Sequence, residues 1–260
     1  MKKINNKHLI VGNWKMNPKT QKEAKSLSAV FKNTSLKLKK TEVVICPPYP
    51  FMNLIKPSKN FDLGVQDLFF IESGSFTGEI GLSIAKDFNV KYTIIGHSER
   101  RMLGETNEMV AEKTKGAFNA GIIPIVCIGE SKRDQAGEYL AFLENQIKKS
   151  LQGVKKTDVE KLVIAYEPIF TIGANFKDAL KPHDIHTMVL YIRKILSGIF
   201  GPSYIKGIKI LYGGSVSEET ASDMISEGKA DGLLVGRQSL NKENFKKLLQ
   251  KTDAIPFKKY

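Results

Sequence analysis

Short apolar runs alternate along the chain with segments whose apolar positions recur at helical spacing. The runs are rich in β-branched residues and nearly continuous, a pattern typical of strands buried on both faces of a parallel sheet. The predicted strands span residues 9–12, 43–46, 61–66, 92–95, 122–128, 162–166, 208–211 and 232–235. The predicted helices span residues 20–32, 50–55, 82–88, 107–120, 137–151, 182–197, 218–227 and 242–250.

Strands that alternate with amphipathic helices predict an α/β fold with a parallel sheet covered by helices. Eight such units in a chain of this length predict a closed (β/α)₈ TIM barrel. An open doubly wound sheet is the alternative, although no Gly-x-Gly-x-x-Gly follows the first strand, which argues against its dinucleotide-binding form. No linker or shift in composition divides the chain, so we expect residues 1–260 to form one domain.

The composition is that of a globular protein, with 42% hydrophobic residues and no apolar run of membrane-spanning length. The basic start of the chain is followed by only a short apolar strand, which is not the pattern of a signal peptide. Cys46 and Cys127 lie within apolar runs, as expected of buried thiols in a reducing compartment. We therefore expect a cytoplasmic protein.

Forty basic and 27 acidic residues give a net charge of +13. A basic chain raises the possibility of nucleic-acid binding. Here the lysines are spread over the helical segments and arginines are few. We expect neither a nucleic-acid nor a membrane partner, and only a weak preference for anionic substrates.

Glu167 is the last residue before Pro168, at the end of the sixth predicted strand. Proline lacks an N–H and disfavours helix for the preceding residue, so the strand ends here. The apolar segment that follows is interrupted by Gly173 and Asn175, which is typical of a loop that can cover a site. A carboxylate in this position predicts a lidded active site.

Other polar residues also follow predicted strands, and in a barrel the carboxyl ends of all strands surround one site. They include Asn13, Lys15, His97, Ser98, Glu99, Arg100, Ser215 and Arg237, with the backbone of Gly236 directly before Arg237. No set of histidine, cysteine and acidic residues among them has metal-ligand spacing, so a metal-free reaction is expected.

Seven short motifs occur in the order found in the triosephosphate isomerase family, over nearly the whole chain, and the chain resembles that family. They are Gly12-Asn13-Trp14-Lys15-Met16-Asn17, Phe76-Thr77-Gly78-Glu79, Ile95-Gly96-His97-Ser98-Glu99-Arg100-Arg101, Val126-Cys127-Ile128-Gly129-Glu130, Ala165-Tyr166-Glu167-Pro168, Tyr212-Gly213-Gly214-Ser215-Val216 and Leu234-Val235-Gly236.

The resemblance implies cofactor-free interconversion of dihydroxyacetone phosphate and glyceraldehyde 3-phosphate through an enediolate, in glycolysis, gluconeogenesis and the pentose shunt. It implies that Glu167 is the general base and His97 the electrophile; this family is a standard worked case of that pairing. Lys15 would offset the charge of the phosphate and the enediolate, with Asn13 helping to position it. Glu99 would support Lys15 or relay protons.

Phosphate binding is expected to use backbone N–H groups at Gly173, Ser215, Gly236 and Arg237, because loops after the last two strands commonly hold phosphate in these barrels. The segment 168–179 would act as a lid that excludes water and suppresses elimination of phosphate from the enediolate.

The loop from Asp67 to Glu79 carries several phenylalanines, which are costly to leave in water. In the family the equivalent loop reaches into a second subunit. We therefore expect a homodimer through this loop, with Thr77 near the partner's active site.

The sequence makes three departures from the usual family pattern. Phe170 replaces a tryptophan, Ala174-Asn175-Phe176 replaces Thr-Gly-Lys, and Arg237 replaces the second glycine of a phosphate-binding pair. Each keeps a backbone N–H, so we expect activity with altered lid kinetics.

Two other functions remain open at this point. A phosphate-binding barrel enzyme of different specificity would need the phosphate site but not Lys15, His97 and Glu167 together. A non-catalytic role would use the lysine-rich exterior to bind an anionic partner, and it could coexist with catalysis.

Overall fold

The computed structural model describes residues 7–171 and 180–256. Eight parallel strands pair in chain order, and the last pairs with the first to close a barrel. The strands are β1 His8–Asn13, β2 Thr41–Cys46, β3 Phe61–Val65, β4 Tyr92–Ile95, β5 Ile123–Ile128, β6 Val163–Tyr166, β7 Lys209–Tyr212 and β8 Gly232–Val235. The predicted TIM-barrel architecture is confirmed.

Helices follow the strands and form the outer layer. The α-helices are α1 Gln21–Ser35, α2 Leu82–Asp87, α3 Ser98–Met102, α4 Asn107–Asn119, α5 Glu138–Ser150, α6 Pro182–Phe200, α7 Ala221–Ser226 and α8 Lys242–Ala254. Side chains of Thr20, Thr106 and Asn241 accept backbone N–H bonds at the starts of α1, α4 and α8. These caps explain where the three helices begin.

Alternate residues of each strand face opposite layers of the core. In β1, Leu9 and Val11 belong to the cluster inside the barrel, whereas Ile10 packs in the layer between strands and helices. Because both faces are buried, the strands read as continuous apolar runs and not as alternating ones.

Several predicted boundaries were wrong for local reasons. The helix predicted from residue 218 begins only at Ala221, because Ser217 and Thr220 bond to each other's backbone N–H groups instead. Helix α6 continues past Gly198 and ends at Phe200, where Gly201 adopts a φ of +94°. Helix α8 also extends further than predicted, to Ala254.

Several short helical elements were not predicted, and two of them adjoin predicted site residues. Helix α3 follows His97 directly, and a 3₁₀ helix, Arg237–Leu240, follows Gly236. Both are too short to produce a helical period in the sequence.

A buried charge cluster ties the ends of β3 and β4 to α4. The ammonium of Lys113 lies 2.7 Å from both carboxylate oxygens of Asp67 and 2.5 Å from Glu105. The second oxygen of Glu105 accepts the N–H of Gly96 at 3.1 Å, and Arg100 pairs with Asp67 at 2.8 Å. The cluster therefore fixes the backbone just before His97.

Substituting Lys113→Met should lower the free energy of unfolding by about 3–5 kcal/mol, because two buried carboxylates lose their shared cation. The matched control is Lys115→Met on the same helix, whose pair with Glu112 is largely exposed and should cost less than about 1 kcal/mol. Urea unfolding of both variants tests this, and equal losses would contradict it.

Candidate active site

The carboxyl ends of the strands surround a cavity of about 250 Å³. Its lining includes eight of the residues predicted for the site: Asn13, Lys15, His97, Glu99, Glu167, Ser215, Gly236 and Arg237. Gly173, the ninth, lies outside the described residues, as do Ala174, Asn175 and Phe176. Glycines and apolar residues complete the wall: Gly213, Gly214, Val216, Leu234 and Val235, with Gln238 beside them.

Glu167 lines this cavity and is buried, with only 2% of its surface exposed. One carboxylate oxygen lies 3.1 Å from His97 Nε2, and the other accepts the backbone N–H of Ser98 at 3.2 Å. Burial alone would raise the pKa of Glu167, but His97, Ser98 N–H and Lys15 together lower it below its ordinary value. The side chain is therefore a carboxylate at neutral pH.

The hydrogen bonds of His97 define its tautomer. Its Nδ1 accepts the backbone N–H of Glu99 at 3.2 Å, and a backbone N–H can only donate. The ring proton of the neutral imidazole must then be on Nε2, facing Glu167.

The charge state of His97 depends on opposing effects. Burial opposes a charge on the ring, but the Glu167 carboxylate outweighs it and raises the pKa of His97 above its ordinary value. Protonation of Nδ1 would break the bond from Glu99 N–H, which favours the neutral ring. The neutral Nε2–H form satisfies both of its polar neighbours.

Lys15 has a left-handed backbone, with φ +51°. Such a conformation costs about 1–3 kcal/mol for a residue with a side chain. The side chain of Asn13 accepts the N–H of Lys15 at 3.0 Å, and Gln66 Nε2 donates to its carbonyl at 2.8 Å. These bonds offset the strain, and the Lys15 ammonium then pairs with Glu99 at 2.6 Å.

Ser215, Gly236 and Arg237 line the part of the cavity formed after β7 and β8. Ser215 Oγ donates to the carbonyl of Thr171 at 2.8 Å, which joins the end of β7 to the segment after β6. Ser239 Oγ donates to the carbonyl of Gly236 at 2.7 Å and shapes the turn before the 3₁₀ helix. The Arg237 side chain is exposed at the cavity mouth.

Two glycines make room for Glu167. A methyl group at Gly129 would overlap the Glu167 carbonyl oxygen, and one at Gly213 would lie 2.8 Å from its Cγ. The neighbouring strands can thus approach Glu167 closely enough for its N–H to bond the carbonyl of Ile128 at 2.7 Å.

Two contributors to the site were not predicted as such. Gln66 directly follows β3, which ends at Val65. The predicted third strand included Gln66, so Gln66 was not counted among the polar residues that follow strands. Ser98 was noted after β4, but it acts through its backbone N–H, and no pattern of side chains reveals that contact.

Metal-ligand groups, thiols and membrane-spanning helices are the other features of interest in the described part of the chain. No group of three or more histidine, cysteine or acidic side chains there could hold a metal ion. Cys46 and Cys127 are buried free thiols, and burial raises the pKa of both. No helix within the described ranges is long and apolar enough to cross a membrane.

Comparison with known proteins gives one consistent result. A family model described as Triosephosphate isomerase matches residues 8–252. A protein named Triosephosphate isomerase from Clostridium botulinum (Type A) is 43% identical over 242 residues, covering 91% of this chain and 96% of that protein. Proteins of the same name from Dictyoglomus thermophilum and Dictyoglomus turgidum are 40% and 39% identical, each with the same coverage of both chains.

Substituting Gly129→Ala should displace the backbone of Glu167, because the added methyl meets a backbone carbonyl that cannot rotate away. A shift of about 1 Å at a catalytic group is enough for a loss of about 100-fold in turnover. Steady-state kinetics on the folded variant measure the loss. Gly198→Ala is the control, because nothing lies within 4 Å of the added atom; wild-type turnover in Gly129→Ala would refute the packing argument.

Proposed function

The chain belongs to the triosephosphate isomerase family and is an isomerase of triose phosphate; from that premise we propose that Glu167, His97 and Lys15 carry out the reaction. Dihydroxyacetone phosphate and D-glyceraldehyde 3-phosphate are interconverted through an enediolate. The observation that carries the assignment is the 3.1 Å contact between a buried carboxylate and an imidazole Nε2 in one cavity. It puts a proton acceptor and a proton donor side by side.

Glu167 takes the proton from the hydroxymethyl carbon of dihydroxyacetone phosphate, and the electron pair moves to the carbonyl oxygen. The Nε2–H of His97 stabilises that oxygen as it gains charge. The proton then returns from Glu167 to the adjacent carbon, while His97 serves the transfer between the two oxygens. Reactant and product differ only in the position of two hydrogens, so no oxidant or reductant is needed.

The electrostatics of the pair suit this sequence of steps. Glu167 is the main cause of the raised pKa of His97. Once Glu167 has accepted the carbon proton, its charge is neutralised and that effect is lost. The imidazole then favours the neutral form, which retains the Nε2–H donor while the enediolate charge is greatest.

Lys15 supplies positive charge between the reacting oxygens and the phosphate, and Asn13 holds its backbone. Glu99 contacts both sides of the site, because its carboxylate pairs with Lys15 and its N–H bonds His97. We assign Glu99 the role of orienting these two groups. Backbone N–H groups at Ser215, Gly236 and Arg237 bind the phosphate, and Gly173 would join them from outside the described residues.

Exposed apolar side chains near the site support a homodimer through the loop between Asp67 and Glu79. Phe76 is 43% exposed, and its ring centroid lies 4.6 Å from that of Phe69, with the two rings tilted by 45°. Met16 after β1 and Leu103 after α3 are 93% and 81% exposed. Large apolar groups on neighbouring loops are costly in water and are covered when two copies associate.

The compartment, the domain organisation and the partners of the protein are also part of the proposal. Two buried free thiols support a reducing, cytoplasmic compartment. We retain the proposal that residues 1–260 form one domain and that neither nucleic acid nor a membrane is a partner.

Substituting Glu167→Asp should lower kcat by about 100-fold or more, because the carboxylate withdraws by about one bond length from the carbon. KM should change little. A coupled assay with glyceraldehyde 3-phosphate measures both constants, and His97→Gln should also lower kcat by removing the imidazole donor. Exposed Glu160→Asp is the matched control; wild-type isomerisation in Glu167→Asp would favour a phosphate-binding barrel of other specificity.

Sedimentation velocity at micromolar concentration should give the mass of two chains. Phe76→Asp should shift the protein towards monomer, because the charge would have to be buried at the interface. Phe142→Asp on α5, 51% exposed in the wild type, is the control and should leave the dimer intact. A wild-type protein that sediments with the mass of one chain would contradict the dimer proposal.

A further inference from the structure

Arg133, in the segment after β5, forms a closed hydrogen-bonded triangle beneath the end of β6. Its Nε donates to Glu130 Oε1 at 2.9 Å, and a terminal nitrogen donates to the hydroxyl of Tyr166 at 2.9 Å. That hydroxyl donates in turn to Glu130 Oε1 at 2.8 Å. Each member is thus held by the other two.

The same guanidinium also contacts two aromatic rings. It lies 5.5 Å from the ring centroid of Phe170 and 5.1 Å from that of Tyr139. Both distances are within the range of cation–π attraction. Arg133 therefore contacts Tyr166 and Phe170, which precede and follow Glu167 in the chain.

Glu130 makes Arg133 difficult to replace. Its carboxylate is buried, and within the described residues Oε2 has no hydrogen-bond partner. A buried carboxylate needs a cation at close range, and Arg133 supplies it. Ile169 N–H also bonds the Glu130 carbonyl at 2.9 Å, so a shift of Glu130 would move the backbone on the far side of Glu167.

From these contacts we infer that Arg133 is a positioning residue for the base Glu167. It touches no reacting atom. It donates to the hydroxyl of Tyr166, the residue before the base, and contacts the ring of Phe170, three residues after it. Glu130, just after β5, accepts from Tyr166 through its side chain and from Ile169 through its carbonyl. The inference rests on the proposed role of Glu167 and extends the site by one arginine that lies outside the cavity lining.

The decisive experiment compares Arg133→Met with the wild type in the coupled assay. A displaced base slows proton transfer without removing any substrate contact, so kcat should fall by about 10- to 100-fold while KM changes little. The primary isotope effect on kcat, measured with substrate deuterated at the transferred position, should be larger in Arg133→Met than in the wild type. A double-mutant cycle with Tyr166→Phe should be strongly non-additive, because both changes break the same triangle.

Arg193→Met is the matched control. Arg193 pairs with buried Asp231 at 2.7 Å and has similar exposure to Arg133, but Asp231 precedes β8, at the other end of the barrel. It should lose stability with kcat and isotope effect unchanged. Wild-type kcat in Arg133→Met, or an equal loss of kcat in Arg193→Met, would overturn the inference.

If Arg133→Met does not fold, Arg133→Lys replaces it. The ammonium can pair with Glu130 but lacks the planar fork that reaches Tyr166 at the same time. The same rise in isotope effect supports the inference, and its absence in folded Arg133→Lys refutes it. An active wild type with an unaffected Arg133 variant refutes only this inference, whereas an unaffected Glu167→Asp refutes the proposed function itself.

Discussion

The buried charge of Glu167 is the constraint around which the carboxyl end of the barrel is built. A lone carboxylate at this depth would take up a proton and be useless as a base. His97, Ser98 N–H and Lys15 reverse that tendency; Lys15 follows β1, whereas His97 and Ser98 follow β4. Closing the barrel is what brings them together, so the fold and the ionisation of Glu167 depend on each other.

Backbone groups do much of the electrostatic work. The first turn of α3 presents two N–H groups, one to Glu167 and one to His97. A peptide N–H does not titrate and cannot rotate, so it keeps its proton and its direction more reliably than a side-chain donor does. Glu105, which pairs with Lys113, accepts the N–H of Gly96 just before this turn. The position of the turn therefore depends on ion pairs buried outside the cavity.

The sequence allowed the barrel to be predicted because each strand is buried on both faces, which leaves a continuous apolar run. That Glu167 and His97 line one cavity could be predicted because strand ends converge in such a fold, whereas their roles were implied only by the family resemblance. Contacts between side chains that are distant in the sequence could not be predicted. Nothing in the spacing shows that Gln66 bonds the carbonyl of Lys15, or that Lys113, one lysine among many, is buried between two carboxylates.

The left-handed backbone of Lys15 sets stability against activity at a single residue. Glycine adopts that conformation without strain and asparagine tolerates it, but neither carries an ammonium. A population of variants selected only for resistance to heat would therefore drift towards glycine or asparagine at this position. Its most robust members would be the ones that had lost the cation, and with it the charge that the proposed reaction takes from Lys15.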